Sequence, residues 1–511
     1  MKSKKDHRPP RRSWLCIAHS FPPIQRSGTH RTLGFVRHLD SLGWRATVLT
    51  AEVGNEPCDP TLLDRVPLTT LVSRASSPDV VRWVKRFISF RREGSPATCQ
   101  TSAGPRGLKP AARNADCIPP KASPKFVDWA TRLLTTPDSR VGWIFPALRE
   151  GFRLLRRHRP EVMYSTSPCL SAHLIAALLS RWSRIPWVAD FRDPWRDNPF
   201  RTSPFASIDA WDQWLERRVF HQANHVIFNT PTAAESAIQR LPWLESKVST
   251  IGNGFDEELV TGIRPRRLGG PGEFILTHAG EFYGRRSPEV LFSAISKLQQ
   301  MAPEVAATMR VVLLGPREFG REPLDGLARK AGVASSVRLL GRKSHAETLA
   351  ILAGSDAVLV VGASGPGSEL QVPNKLYECL ALRRPILAAV SENNPTREVL
   401  SRSKALACTC LPDDVAGFAN ALKQLVTGRV PVGSQAWSGA GQYERKHRAA
   451  ELCAVLERCA PLKANSSYPT DKRNILATGS ARRSAVLYRK GSVDPGEPSI
   501  SSAVCSSIQP D

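Results

Sequence analysis

The sequence predicts an α/β protein made of two doubly wound domains in tandem, each a parallel sheet with helices on both faces. Three observations lead there. Short β runs alternate with amphipathic helices along most of the chain, the pattern of a parallel sheet covered on both sides. The alternation stops at a basic, glycine-rich linker, 262–273, and then begins afresh. The length, 511 residues, also exceeds what one hydrophobic core usually serves.

In the first domain, "SWLCIA" (13–18) is a strand and "SFPPIQRSGT" (20–29) a Pro/Gly loop. "HRTLGFVRHLDSLG" (30–43) sets Leu33, Val36, Leu39 and Leu42 on one helical side, and "WRATVLT" (44–50) completes a βαβ unit. Residues 95–125, rich in Ser, Pro and Gly, read as a flexible insertion. Strand "EVMYST" (161–166), helix 170–182, strand "PWVADF" (186–191), helix "DAWDQWLERRVFHQA", strand "HVIFNT" (225–230), a further helix and strand "KVSTIG" (247–252) follow.

In the second, strands "FILTHAG" (274–280), "MRVVLLG" (309–315), "SVRLLG" (336–341), "DAVLVVG" (356–362) and "PILAAV" (385–390) alternate with helices 287–300, 322–331, 344–353 and 374–383. "ALACTC" and helix 413–427 complete it. The division is therefore a basic flexible N-terminus (1–12), two Rossmann-like domains (13–260 and 261–436), a last helix (437–460) and a Ser-rich, disordered tail (461–511). In such sheets ligands bind beyond the carboxyl ends of the strands, so two domains face to face would share a cleft.

Composition narrows the function. The eleven cysteines are odd in number and lack framework spacing, which suits reduced thiols in a cytoplasmic protein. Cys408 and Cys410 share a strand face with no His nearby, so core is the better reading than metal. The run "LSAHLIAALLSRW" (170–182) is too short to span a bilayer, and the basic N-terminus is not followed by the apolar core of an export signal. The expected location is cytoplasmic, or peripheral on the inner face of the plasma membrane.

The net charge is +25, with basic clusters at 2–12, 148–160 and 264–267. Without zinc spacing, an aromatic RNA-binding signature or Arg-Gly repeats, nucleic acid is not an expected partner. An anionic membrane surface or phosphate-bearing ligands explain the charge, as would a GC-rich genome.

Chemistry concentrates in three places. In "SELQVPNKLYECLALRRP" (368–385) a loop breaks into a helix at Pro373-Asn374, where Asn374 can cap and first-turn amides carry partial positive charge. Lys375 adds a full charge, so this end outlines a diphosphate site. Glu378, acceptor-only when ionised, can take hydrogen bonds from two sugar hydroxyls, and Glu369 can reach a hexose hydroxyl.

In "HAGEFYGRRSPEVL" (278–291), Gly280 permits close backbone approach, and Arg285 or Arg286 can clamp a phosphate. No Asp-x-Asp occurs, and cations with helix amides can neutralise a leaving diphosphate without one, so no metal is expected. In the first domain, Gly28 in "PPIQRSGTHR" (22–31) lets backbone approach the cleft. Strand 186–191 runs into Asp190, Arg192 and Asp193. These charges fit contacts to sugar hydroxyls or acceptor phosphate, with Asp193 first choice near the reacting centre. They fit equally a network of ion pairs bracing the loop.

Taken in order, "HSFPPIQRSGTHR", "YSTSPCLSAHL", "PWVADFRDPW", "IGNGFD", "HAGEFYGRRSPEVL" and "VPNKLYECLALRRPIL" resemble the motifs of bacterial GT-B glycosyltransferases similar to family 4, in a subgroup marked by "DFRDPW". The resemblance covers residues 13–460. It implies a nucleotide sugar bound mainly by the second domain, an acceptor on the first, retention of anomeric configuration and a final helix crossing back. It implies Glu378 on the ribose and Arg286 at the family's phosphate-binding Lys position. Two departures stand out: Glu369 and Glu378 have eight residues between them where the family has seven, and Glu281 stands where Arg is usual.

The expected function is sugar transfer from a nucleotide diphosphate sugar to a glycan or polyprenyl-linked acceptor in bacterial surface polysaccharide synthesis. Its expected catalytic residues are Asp193, Arg286 and Glu369; Gly280, Arg285, Asn374, Lys375 and Glu378 join Arg286 on the donor, with Gly28, Arg192 and Asp190 on the acceptor side. The alternative is a non-catalytic GT-B protein that binds nucleotide sugar without transferring it.

Overall fold

The computed structural model describes residues 12–80, 125–198, 201, 205–428 and 436–461. Apart from bordering residues, the expected N-terminal arm, the insertion and the tail lie outside them. Among the described residues there are two all-parallel sheets, of seven and six strands. The first contains β1 (Arg12–Ile17), β2 (Trp44–Ala51), β3 (Leu71–Ala75), β4 (Val162–Thr166), β5 (Trp187–Phe191), β6 (His225–Phe228) and β7 (Val248–Thr250). Their order is β3-β2-β1-β4-β5-β6-β7. Its helices are α1 (Ser27–Ser41), α2 (Lys125–Leu134), α3 (Ile144–His158), α4 (Ser171–Ser183), α5 (Ala206–Gln222) and α6 (Pro231–Arg240).

The second sheet contains β8 (Phe274–Ala279) and β9 (Met309–Leu314), then, after a small antiparallel hairpin of β10 (Glu318–Phe319) and β11 (Glu322–Pro323), β12 (Val337–Gly341), β13 (Ala357–Val361), β14 (Ile386–Ala389) and β15 (Ala407–Cys410). The order β12-β9-β8-β13-β14-β15 is the doubly wound arrangement, with its switch point between β8 and β13. Its helices are α7 (Glu289–Met301), α8 (Pro303–Thr308), α9 (Leu324–Lys330), α10 (His345–Ala353), α11 (Lys375–Leu382), α12 (Pro395–Ser403) and α13 (Val415–Val426).

Central strands are apolar because both faces are covered. Every residue of β4, β5 and β13 is buried. The sequence reading missed β3, α2, α8, α12 and the hairpin. β3 is an edge strand whose residues are mostly half-buried, and short edge strands carry little hydrophobic signal.

The chain returns to the first lobe through α14 (Arg445–Cys459). The last helix is shorter than the expected 437–460. Trp437 takes a left-handed turn (φ 67°), and a 3₁₀ turn, Ala440–Tyr443, intervenes. Trp437 donates its amide to the Lys404 carbonyl at 2.9 Å, so this segment straps onto the second lobe before crossing. Ala449, Leu452, Val455 and Leu456 then complete the core around α1. Gly34 of α1 makes the approach feasible, because a Cβ there would stand 1.8 Å from Arg445 Cδ.

Two buried carboxylates hold the crossings. Asp256 accepts from Arg445 at 2.5 Å, Arg65 at 2.7 Å and His38 at 3.2 Å. Burial opposes its charge, but the Arg445 and Arg65 guanidiniums and the bond to His38 hold its carboxyl far below the usual carboxylate range. Asp190, at the end of β5, takes both arms of the Arg31 guanidinium at 2.9 Å, plus Tyr164 Oη at 2.5 Å and Thr166 Oγ1 at 3.0 Å. The rest of Arg31 donates to the Ile251 and Gly252 carbonyls and to Asn253 Oδ1. One fork therefore ties α1, β5 and the segment leading out of the first lobe.

Removing one partner of such a pair leaves the other charge buried and alone. Asp190→Ala is predicted to cost about 3–5 kcal/mol of unfolding free energy, read from urea midpoints. A carboxylate that merely faced substrate would leave the midpoint unchanged.

Candidate active site

The carboxyl ends of both sheets open on one cleft of about 430 Å³. The second lobe supplies the β8–α7 loop, from Gly280 to Arg286, the start of α10 and the turn into α11. The first lobe supplies His30, Arg192, Asp193, Asn229 and Asn253. Hydrogen bonds fix the lobes beside it. Thr230 Oγ1 donates to the Leu370 carbonyl and Thr232 Oγ1 to the Glu369 carbonyl, each at 2.8 Å.

Seven sequence-predicted residues meet here: Gly280, Arg286, Asn374, Lys375 and Glu378 from the second lobe and Arg192 and Asp193 from the first. Glu378 is half-buried, with Oε2 taking Lys375 Nζ at 2.8 Å and Oε1 within 3.1 Å of His345 Nε2. Burial would raise its pKa, yet Lys375 and His345 hold it well below the carboxylate range, so it is an anion at neutral pH. Arg286 donates to Tyr283 Oη at 3.0 Å, with its guanidinium over the same ring. Gly280 lies where two loops nearly touch, since a Cβ on neighbouring Gly315 would stand 1.9 Å from the Gly280 carbonyl oxygen.

Other expectations are corrected. Asp190 does not face the cleft; it is fully buried and consumed by Arg31, Tyr164 and Thr166. Glu369 does not line the cleft either. It sits in a tight turn, Ser368–Leu370, with Oε1 accepting from the Gly367 amide at 3.2 Å. Arg285 turns outward to the Pro366 carbonyl at 3.1 Å and braces the 364–367 loop, leaving Arg286 as the cleft residue of the pair. Asn374 makes no side-chain cap; its backbone is already helical, so the helix opens on the cleft directly.

Gly28 lines a smaller recess of about 220 Å³ next door, with Arg192 Nη1 3.1 Å from where its Cβ would be. Of the charges in the 190–197 stretch, Arg196 and Asp197 turn to Asp209 and Arg240. They brace the loop.

The sequence reading missed a set of polar groups pointing at the same space. Among the described residues, His30 Nδ1, Asn229 Oδ1, His278 Nε2 and Gln371 Nε2 are buried without a hydrogen-bond partner, and all four residues line the cleft. A buried orphan costs about 1–3 kcal/mol, so four around one cavity mark where a polar ligand would bond. His278 is informative. Its Nδ1 contacts the Leu359 carbonyl at 3.0 Å and so carries the proton, which leaves Nε2 a bare acceptor.

Burial, aided by Arg286 and Lys375 against the bond to Leu359, pushes His278 down to about 4. The His30 ring lies tilted against that of His345 across the lobes, ring centroids 4.7 Å apart, and burial and that neighbour push His30 down to about 3. Only "HAG" at the strand end could have signalled His278, through its place beside Gly280.

Two family models match, one in each half of the chain. Residues 103–259 match "Glycosyltransferase Family 4" and residues 273–428 match "Glycosyl transferases group 1". A curated relative, a D-inositol 3-phosphate glycosyltransferase of Stackebrandtia nassauensis, is 27% identical over 249 residues, covering 46% of this chain and 54% of that protein. The match thus spans about half of the relative's length. Among solved structures, Anabaena HepE in complex with UDP-glucose superposes with a TM-score of 0.55 at 14% identity, covering 87% of this chain and 99% of that one. Sucrose-phosphate synthase from Thermosynechococcus elongatus does so with a TM-score of 0.54 at 14% identity, covering 88% and 97%. At these identities the likeness is one of fold, and the fold is GT-B.

The neutral state of His278 sets a pH dependence. Its folded pKa lies below the unfolded value near 6.5, so the unfolded chain takes up the proton first as pH falls. Its contribution is complete above that value and is lost on acidification towards 4. Between pH 7 and 5 the loss is about 2 kcal/mol. Urea midpoints of His278→Asn should therefore fall less over this interval than those of the wild type. Equal falls would contradict the buried neutral imidazole.

Proposed function

The chain belongs to the GT-B glycosyltransferases of the family 4 type, and from that premise we propose that it transfers a hexose-type sugar from a nucleoside diphosphate sugar to a glycan or lipid-linked acceptor. We further assign it retention of configuration, a metal-independent mechanism and a place in bacterial surface polysaccharide synthesis. One observation carries the reading. Arg286 from the β8–α7 loop meets Lys375 and Glu378 from the first turn of α11, two cations and an anion in one interlobe cleft at the carboxyl ends of the strands. The relatives favour the same donor class, since HepE structures hold UDP and UDP-glucose.

In this reading Arg286, Lys375 and the open first turn of α11 neutralise the leaving diphosphate, which is the main source of rate. Lys375 exchanges the Glu378 carboxylate for a phosphate oxygen, and the freed Glu378 accepts from the ribose hydroxyls. His278 Nε2 offers an acceptor to a sugar hydroxyl, and Gln371 Nε2 a donor to the sugar or its phosphates. Gln371 thereby takes the part first given to Glu369. Asp193, paired with Arg192 at 3.2 Å and partly exposed on the first-lobe wall, stands on the acceptor side.

A thermal-shift panel of UDP-, GDP-, ADP- and dTDP-sugars identifies the donor. With that donor, Arg286→Ala and Lys375→Ala should each lower kcat/KM by about 10²–10³ while leaving the melting temperature of the free protein in place. Unimpaired turnover in both overturns the assignment. Slow hydrolysis of labelled donor separates transfer from binding alone, because a pure binder shows the thermal shift and releases no sugar.

A further inference from the structure

We infer that the outer face of α3 and α4 is a docking surface for an anionic lipid bilayer. Phe145, Arg149, Phe152, Arg153 and Arg156 fall at helical spacing along one side of α3, opposite the buried Ala147, Gly151, Leu154 and Leu155. Leu178, Arg181 and Trp182 continue the patch on α4. The two stripes are adjacent because the helices pack closely, and a Cβ on Gly151 would stand 2.6 Å from Leu179 Cδ1.

This face inverts the usual pattern of a surface helix. Phe145 is 79% exposed and Trp182 75%, and Phe152 meets the Trp182 ring edge-on at 5.1 Å. The arginines stand among these rings rather than apart from them, and Arg149, Arg153, Arg156 and Arg181 are all exposed. Glu150 is the acidic residue on α3, and it is held by Arg153 and Ser73. Between the helices runs a groove of about 380 Å³, lined by Phe152, Leu155, Trp182 and Ile185 together with Arg156 and Arg159.

Exposed aromatic rings mark a surface that finds an apolar partner, and an arginine excess among them selects an anionic one. A bilayer interface supplies both at the right depths. Rings settle at headgroup level while guanidinium groups snorkel to lipid phosphates. No helix among the described residues is long and apolar enough to cross a membrane, so the contact is interfacial. The face lies outside the interlobe cleft, and the inference does not rest on the transfer reaction.

The test is co-sedimentation of the full-length protein with phosphatidylcholine vesicles, with and without phosphatidylglycerol. Wild type should bind only the anionic vesicles, and less so as salt rises. Each arginine removed should lower the partition coefficient about fivefold, so Arg149→Ser, Arg156→Ser and Arg181→Ser together lower it about a hundredfold. Phe145→Ser with Trp182→Ser should also weaken it. A matched set elsewhere, Arg264→Ser, Lys297→Ser and Arg321→Ser, should leave binding near wild type. All these side chains are exposed, and unchanged melting temperatures check that the variants fold.

Equal loss in both triple variants would assign binding to bulk charge and overturn the proposal. So would wild-type binding by the α3–α4 variants, equal binding to uncharged vesicles, or a wild type that stays in solution, which would point to a protein partner instead.

Discussion

The Arg31 fork is the constraint on which the arrangement of the cleft depends. It joins the helix after the first strand to the end of β5 and to residues 251–253, where the chain leaves the first sheet. Both ends of the pair are buried, and the burial that would disfavour a lone ion is answered by two parallel charge-assisted bonds and two hydroxyl donors. Two cleft residues sit directly on this joint. His30 precedes Arg31, and Asn253 Oδ1 accepts from it at 3.1 Å. The first-lobe wall of the site is therefore as rigid as the ion pair behind it.

The opposite wall is charged differently. There a half-buried carboxylate, Glu378, is held by Lys375 and His345, and in the proposed reading ribose hydroxyls take the place of Lys375 as it turns to a phosphate. On this wall His278 Nε2 and Gln371 Nε2 have no partner, with His30 Nδ1 and Asn229 Oδ1 facing them from the first lobe, and the His30 ring lies against that of His345. The first-lobe wall is braced from behind by the Arg31–Asp190 pair, and the second-lobe wall carries an ion pair at the cleft itself. This division explains why two aspartates three residues apart, Asp190 and Asp193, have separate fates. Asp190 is the last polar position inside the strand and belongs to the joint, whereas Asp193 lies beyond the strand and lines the opening.

Much of this was legible in the sequence. Strands such as Ala357–Val361 are continuous apolar runs, and long helices such as α1 carry a clear periodicity, so the alternation and its restart after residue 273 could be read directly. The helix start at Asn374-Lys375 and the Gly280–Arg286 loop could be placed because strand ends locate them. Side-chain direction was not legible. Nothing in "GRRSP" tells that Arg285 turns to the Pro366 carbonyl while Arg286 lines the cleft, and nothing in "SEL" tells that Glu369 bonds back to its own turn. Arg31 and Asp190 are 159 residues apart, so their pairing is a property of the folded sheet. His278 escaped because a histidine ending an apolar strand looks like core until the emptiness beyond Nε2 is seen.

A crystal structure with the nucleoside diphosphate that raises the melting temperature most is the direct measurement of the central claim. The account predicts a pyrophosphate between Arg286 and Lys375, and a Glu378 carboxylate that has left Lys375 for the ribose. A nucleotide bound outside the interlobe cleft, or one seated there with Lys375 still on Glu378 and Arg286 away from phosphate, would contradict it.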